Sequence, residues 1–524
     1  MNRYIKNTIC TGLMYCLIGS IIISCTNDLD TEPRVEQSLE NLLKDDPDAV
    51  QKILAKLYAG LVLHGQGNPG SADQMQDILG DDAGETVYLR SLWNLQEMTT
   101  DIVKNRWGDN GLDPLTTATQ WVPTNKFFGY MYNRIFFQVS QANNFIIEVN
   151  DIEVENKELF IAEARFLRAL SYYHALDLFG GVPLVTDADG IGGASKPKAD
   201  RKELFDFIES ELQAIESTIP AQSPYGRVNK ATVQMVLAKL YLNAEVFAGE
   251  NRYADALTVS ETIITTSGFR LNTDYQSLFQ VDNFNSPEII FPLIADSENA
   301  QSFGNTTYLV NGSYSSDTMP IAEFGAAQGW TGHRCTPALY SLFGDLETTG
   351  DRRAIFWTEG HTFEMTDYRQ WTDGYPTTKF RNTLSDGSTL ETAFSNVDFP
   401  MFRLADAYLM YAEAQLRGGG GSRSQALEYI NNLRERAYGD TSGNIGDAEL
   451  TLDFILDERA RELYYEAHRR QDLIRFGRFT GSSYIWPWKG GTAAGTSIPA
   501  HYNVFPIPLE ALQANPNLVQ NEDY

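Results

Sequence analysis

Residues 231–264 read ATVQMVLAKLYLNAEVFAGENRYADALTVSETII, and this stretch decides the fold. Over Ala231–Ala248 the apolar side chains fall at Val233, Val236, Leu237, Leu240, Tyr241 and Ala244, the three-and-four spacing of one helix face. Gly249-Glu250-Asn251 breaks the pattern, and Tyr253, Ala256, Leu257, Ser260, Ile263 and Ile264 restore it on a second helix. A pair of helices this short cannot cover its own apolar faces, so the stretch predicts further pairs stacked beside it.

The same design recurs along the chain. Leu404, Ala407, Tyr408, Tyr411 and Ala412 form a stripe that breaks at Gly418 to Gly421 and resumes at Ala426, Leu427, Ile430, Leu433 and Ala437. Both Ala231–Ile264 and Leu404–Ala437 span 34 residues, the tetratricopeptide period. Phe128–Ile147 with Leu159–Phe179 makes another pair, stopped by Gly180-Gly181 and Pro183, and Leu204–Ile215 adds a further helix. Val50, Ile53, Leu54, Leu57, Tyr58 and Leu61 mark a first helix over Pro47–Leu63. The predicted class is mostly α: about four tetratricopeptide-like helix pairs forming a superhelical scaffold over roughly 125–270 and 400–476. Between these blocks Leu271–Pro400 is rich in Gly, Ser, Thr, Asn and aromatics and has little helical period. An irregular excursion of that length inside a folded chain predicts an inserted, ligand-facing lobe.

Composition narrows the function classes. A chain of 524 residues with 43% hydrophobic content can bury a large core. Its net charge of −28, with basic residues interspersed among more numerous acids, argues against a nucleic-acid partner. The same charge disfavours docking on anionic lipid through a basic face, so any membrane tie must be covalent. Such a tie is written at the start. Arg3 and Lys6 precede an apolar run from Ile9 to Ile23, which ends in Ile22-Ile23-Ser24-Cys25 followed by polar Thr26-Asn27-Asp28. That run reads as a lipoprotein signal peptide over 1–24, with Cys25 as the acylated first residue, a lipidated tether over 25–46 and one folded domain over 47–524. Cys10, Cys16 and Cys25 lie within that N-terminal region, so Cys335 stands alone beyond it, reading as a buried small residue with no internal disulfide.

Four segments carry a family likeness. They are Ala162-Glu163-Ala164-Arg165-Phe166-Leu167-Arg168-Ala169 running on to Gly180-Gly181-Val182-Pro183; Arg403-Leu404-Ala405-Asp406-Ala407-Tyr408; Glu458-Arg459-Ala460-Arg461-Glu462-Leu463 with Arg469-Arg470-Gln471-Asp472-Leu473; and Phe505-Pro506-Ile507-Pro508 with Asn515-Pro516-Asn517-Leu518. Spread over most of the chain in one order, they resemble the SusD/RagB family of nutrient-binding outer-membrane lipoproteins. The resemblance implies a surface-exposed, lipid-anchored protein that captures oligosaccharide and delivers it to a SusC-like TonB-dependent outer-membrane transporter, without catalysis; some members take peptides. Physically the segments read as structural. Arg and Glu at helical spacing over Glu458 to Arg475 predict interhelical ion pairs, and Gly180-Gly181-Val182-Pro183 a helix stop.

No His-Glu-x-x-His, Cys-x-x-Cys, Gly-x-Ser-x-Gly or P-loop motif is present, and neither cofactor nor metal is expected. Asp187-x-Asp189-Gly190 reads as a turn rather than a calcium loop, since Ile191 occupies a ligand place. A glycoside hydrolase stays open as the enzyme alternative, because two carboxylates need no sequence motif, and a scaffold gripping protein peptides stays open as a third class. Sugars present apolar C–H faces rimmed by hydroxyls, so a site needs flat aromatic surfaces beside planar polar groups. Aromatics outside the helical stripes are the candidates: Trp107, Trp121, Trp330 and Trp371, with Asp101 and Arg381 as polar partners. The anchor has a direct test. Cys25→Ala is expected to move the protein from the membrane pellet to the soluble fraction, and a variant that still sediments with membranes contradicts the acylated reading.

Overall fold

Polar residues at the predicted breaks fix where the helices start. In the computed structural model, which describes residues 42–43, 46, 48–67, 69 and 75–524, Asn125, Asp200, Asn229, Ser422 and Thr451 each accept a backbone N–H from the first turn of the helix that follows. The predicted signal segment, Cys25 and most of the predicted tether lie outside the described residues. Residues Ile53–Tyr524 form one compact unit.

Sixteen α-helices occur among the described residues. The first three are α1 (Ala49–Ala59), α2 (Tyr88–Trp93) and α3 (Leu112–Thr116). A first block follows: α4 (Lys126–Asn150), α5 (Lys157–Phe179), α6 (Arg201–Ile215), α7 (Lys230–Leu242), α8 (Ala244–Ala248) and α9 (Tyr253–Thr266). Short α10 (Thr306–Ser313) and α11 (Pro337–Tyr340) precede a second block of α12 (Leu404–Leu416), α13 (Arg423–Tyr438), α14 (Leu452–Leu463), α15 (Arg469–Arg475) and α16 (Leu509–Ala514). Four strands complete the list: β1 (Val103–Asn105), β2 (Ile289–Leu293), β3 (His333–Cys335) and β4 (Phe399–Arg403).

The packing order is that of a helical stack. Helix α4 packs on α5, α5 on α6, α6 on α7 and α7 on α9; α9 then packs on α12, which meets α13 and α14. Residues 267–403 therefore form an excursion that leaves the stack after one helix and re-enters it at the next. The mostly helical class and the tetratricopeptide-like scaffold are as the period predicted. Two details differ. The predicted helix over Ala231–Ala248 breaks at Asn243, whose side-chain amide donates to the Lys239 carbonyl at 2.8 Å. Helix α7 is also buried on all sides from Ala231 to Leu242, because α6, α9, α12 and β2 enclose it; the stripe reading had given it only one covered face.

Two antiparallel strand pairs tie the excursion back. β2 pairs with β4, Ile289 opposite Arg403 and Leu293 opposite Phe399, and β4 runs directly into α12. β1 pairs with β3.

Buried charge fastens the lobe to the stack. Arg403, at the β4–α12 junction, reaches Glu288 at 2.8 Å, Glu462 at 2.6 Å and Glu466 at 2.6 Å. Arg436 of α13 pairs with Glu288 at 3.1 Å and also with Glu462. From the lobe, Arg353 reaches Glu458 at 2.8 Å and Glu462 at 3.0 Å, and Lys379 reaches Glu466 at 2.7 Å. A neighbouring chain of pairs runs Lys239 to Asp406 to Arg459 to Asp472 to Arg475 to Glu413. Of these, Glu458, Arg459, Glu462, Glu466 and Arg475 lie in the stretch whose helical spacing predicted interhelical pairing.

Burial alone would push Glu458 and Asp472 up, but the surrounding guanidiniums outweigh it: Arg353 and Arg461 hold Glu458 down at about 2, and Arg459 and Arg475 hold Asp472 at about 2. Arg436, Arg403 and Arg353 likewise hold Glu462 well below the ordinary carboxylate range. Because these groups are depressed in the folded chain relative to an unfolded value of about 4, their stabilisation is present above pH ~4 and is lost as pH falls towards 2. The urea midpoint of the wild-type chain is therefore expected to drop across that window. Glu462→Gln leaves three buried guanidiniums short of a counter-charge and should cost about 3–5 kcal/mol at pH 7, read as a lower urea midpoint; an unchanged midpoint would contradict the role given to the network.

Candidate functional site

Strand β1 carries the chain outward from the core. Asn105 pairs opposite His333, its Nδ2 lies 3.1 Å from His333 Nδ1, and its Oδ1 accepts the Trp107 backbone N–H at 2.8 Å. Trp107 leaves the ladder at this point and donates its indole N–H to the Trp330 carbonyl at 2.9 Å. The two indoles sit with centroids 6.4 Å apart and planes at 57°. Phe303 meets Trp330 edge-on at 5.8 Å.

The backbone around Trp330 is shaped for this approach. Trp330 donates its N–H to the Asn311 carbonyl at 2.6 Å and Thr331, at φ +55°, donates to the Tyr314 carbonyl at 2.7 Å. Gly332 is required here, since a Cβ would lie 2.4 Å from the Trp107 ring. Behind Trp107 stands His333, fully buried, which burial keeps neutral by lowering its basicity far below the usual imidazole value.

These rings line an open cleft of about 720 Å³, with Asp81, Asp82, Asp109, Asn110 and Gln328 among its polar groups. Asp81, Asp82, Asp109 and Asn110 are exposed. Lys126, at the start of α4, bonds Glu85 at 2.7 Å and Asp81 at 3.1 Å; burial would lower its basicity, but these carboxylates outweigh it and raise it. Arg90 of α2 lies over the Tyr308 ring at 4.3 Å and reaches Asp82 at 3.5 Å. Asp82 Oδ1 also accepts the Gly84 N–H at 2.9 Å, capping the turn Ala83–Thr86. The indole N–H of Trp107 is consumed internally, so its ring offers apolar surface, while the rim offers planar amide, carboxylate and guanidinium groups. That arrangement fits a ligand with flat apolar faces and peripheral hydroxyls.

The structure brings together Trp107 and Trp330 from the predicted set and places the other four elsewhere. Asp101 is a correction: it is fully buried, accepts from Arg469 at 2.9 and 2.7 Å and from the Tyr484 hydroxyl at 2.7 Å, and has no oxygen left for a ligand. Trp121 is likewise core, stacked on Tyr502 at 4.3 Å and 12°, with its indole N–H on the Pro114 carbonyl. Trp371 is buried against His361 and donates to Thr318 Oγ1 at 3.0 Å. Arg381 turns back onto Thr378, donating to its carbonyl and hydroxyl at 2.9 Å each. Asp101, Trp121 and Trp371 bond their polar atoms within the fold and Arg381 spends Nε and Nη2 on Thr378, which residue type alone does not reveal. Sequence reading missed Phe303, Arg90, Lys126 and the Asp81-Asp82 pair. Phe303, beside Gly304 and outside any helical stripe, carried the signal used for the tryptophans; Arg90 and Lys126 sit inside helices and carried none.

Asp187 and Asp189 serve as the predicted turn, with Asp187 on Arg168 at 2.5 Å and Asp189 on Lys196 at 2.6 Å. Among the described residues no group of three His, Cys, Asp or Glu side chains is placed to hold a metal ion, and no helix is long and apolar enough to cross a membrane.

Residues 42–242 match a family model described as starch-binding and associating with the outer membrane, and residues 356–524 match the SusD family model. The chain is 32% identical to the starch-binding protein SusD of Bacteroides thetaiotaomicron across 100% of its own length and 99% of that protein. It is 24% identical to SusD-like protein P25 of Formosa agariphila over 97% and 98% of the two chains. Among solved structures, a SusD superfamily protein of Bacteroides thetaiotaomicron superposes with a TM-score of 0.70 at 19% identity, covering 90% of this chain and 99% of that one. Surface glycan-binding protein A of the same organism, in complex with laminarihexaose, gives 0.68 at 20% identity with 90% and 99% coverage.

Proposed function

The chain belongs to the SusD family, and from that membership we propose that it is a glycan-binding protein of the outer membrane whose ligand is a starch-type oligosaccharide held in the Trp107–Trp330 cleft. The observation that carries this reading is the cleft itself: two indoles side by side with Phe303 edge-on to Trp330, framed by exposed carboxylates and an amide. Pyranose rings offer the matching surface, an apolar face for stacking and equatorial hydroxyls for the polar rim. The full-length likeness to a starch-binding protein supports an α-glucan as the ligand class.

Binding without cleavage follows from how the charges are engaged. Glu85 is paired with Lys126 and sits 3.9 Å from Arg90, and Asp82 is spent on the Gly84 cap and Arg90. Glycosidic cleavage needs one carboxyl kept protonated and a second free to attack or to activate water; Glu85 and Asp82 are instead paired with Lys126 and Arg90. The protein thus captures ligand and passes it on. Cys25 carries the lipid anchor, the folded body stands on the outer face of the membrane, and the recipient is a SusC-like TonB-dependent transporter.

Rings that stack on sugar contribute about 1–3 kcal/mol each when removed, by analogy with base stacking. Trp107→Ala with Trp330→Ala, introduced together in the full chain, is therefore expected to abolish retardation in native gels containing amylopectin while leaving the urea midpoint near wild type. Unchanged retardation of the folded double variant would refute the cleft as the site.

A further inference from the structure

A second cleft lies on the other side of the segment that carries α3. Asp109 and Asn110, just before α3, line the first cleft. Asp113 within α3 and Gln120 beyond it line another, about 790 Å³ in volume, together with Asp367, Tyr368, Arg369 and Trp488. We infer that this second cleft is an independent binding site for a neutral oligosaccharide, with Trp488 as its stacking platform and Arg369, Asp113 and Gln120 as its hydroxyl-binding rim. The ligand class is that of the first cleft, so the inference rests on the glycan reading given above.

Five observations support it. Trp488 is built like Trp107: its indole N–H is consumed by a main-chain carbonyl, that of Met365, at 3.0 Å, so what remains for the cleft is apolar ring. Tyr368 meets it edge-on at 5.0 Å and 71°, and the Arg369 guanidinium lies 5.7 Å over the Tyr368 ring. The polar groups are half engaged. Arg369 is exposed and pairs through Nη2 with one oxygen of Asp113, while the other oxygen, Oδ1, is buried and has no hydrogen-bond partner.

Backbone strain converges on the same place. Trp488 holds φ +68° and Gln120 φ +50°, left-handed conformations that bulky side chains rarely adopt. At Trp488 the conformation is fixed by the tight turn that follows, in which the Trp488 N–H donates to the Thr492 carbonyl at 3.0 Å and the Trp488 carbonyl accepts the Gly491 N–H at 3.1 Å. Strain of this kind persists where the surroundings impose it, characteristically at ligand sites. One cation, Arg369, against two carboxylates, Asp113 and Asp367, leaves the cleft net acidic, which favours an uncharged polyhydroxyl ligand over an acidic glycan.

The test reads the two clefts separately in one sample. The full chain, labelled with ¹⁵N-tryptophan and held in detergent, is titrated with maltoheptaose while the indole N–H resonances of Trp107 and Trp488 are followed, each assigned by its Trp→Phe variant. Both signals are expected to shift, and that of Trp488 to keep shifting in the variant combining Trp107→Ala with Trp330→Ala. Arg369→Ala should raise the Trp488 midpoint about tenfold, the loss of one charge-assisted hydrogen bond, and leave the Trp107 midpoint in place. A Trp488 signal that stays still while Trp107 saturates, that stops moving when the first cleft is destroyed, or that ignores Arg369→Ala overturns the second site and spares the first. Movement of Trp488 with Trp107 silent overturns the first-cleft reading alone, and silence of both overturns both.

Discussion

The buried guanidinium of Arg403 is the point on which the architecture turns. It donates through Nε to Glu466, through Nη1 to Glu288 and Glu462, and through Nη2 to the Glu462 carbonyl and Glu466. Only Arg can distribute this many bonds in a fixed plane while staying charged. Its partners come from three places: Glu288 from the lobe, and Glu462 and Glu466 from the end of α14 and the turn beyond it. Closing a long, mostly irregular excursion against a helical stack carries an entropic cost that two short strand pairs do little to offset. Paired buried charges supply something else. Each is strongly unfavourable if separated from its partner, so alternative placements of the lobe are penalised even where the pair adds little net stability.

That constraint reaches the aromatic cleft through the segment ahead of β1. Glu97 accepts the His468 N–H at 3.0 Å, and burial raises its carboxyl to about 8, so it keeps its proton at neutral pH. Asp101 is clamped by Arg469 of α15. Thr336, next to β3, donates its N–H to the Ile102 carbonyl at 3.1 Å and its hydroxyl to the Asp101 carbonyl. The Glu458–Arg475 region therefore positions β1, β1 positions Asn105, and Asn105 positions Trp107. Residues remote from the cleft set the angle at which the Trp107 ring is offered to it.

How much of this was legible in sequence depended on whether the signal was local. The stack was legible because a 34-residue period is repeated along one chain and each repeat must find a neighbour. The ion pairs over Glu458 to Arg475 were legible in kind, because Arg and Glu at helical spacing on an otherwise apolar helix must meet counter-charges. Their partners were not, since Glu288, Arg353 and Lys379 belong to a lobe with no period to follow. The cleft was legible by half. Trp107 and Trp330 stood out as aromatics beyond any stripe, but Trp121 and Trp371 met the same criterion and proved to be core, each with its indole N–H satisfied inside the fold. Residue type distinguishes a ring from a non-ring; it does not say which side of the ring is covered. Asp101 failed for the complementary reason, its partner Arg469 lying far along the chain.

The division of labour between stack and loops has a consequence for specificity. Every wall of the aromatic cleft except Arg90 and Lys126 comes from irregular backbone: the turn at 81–85, Trp107 to Asn110, Phe303 and Gln328 to Trp330. Substitutions there alter ring orientation or rim chemistry without entering the buried charge network, so ligand preference can change while the fold is held. The rings are fixed before ligand arrives, since the Trp107 N–H, the Trp330 N–H and Thr331 are all bonded within the chain. Preorganisation lowers the ordering cost of binding, while an open rim of exposed side chains supplies few desolvated contacts. A site of that construction favours rapid exchange of ligand over long retention, which suits the proposed role of passing ligand on.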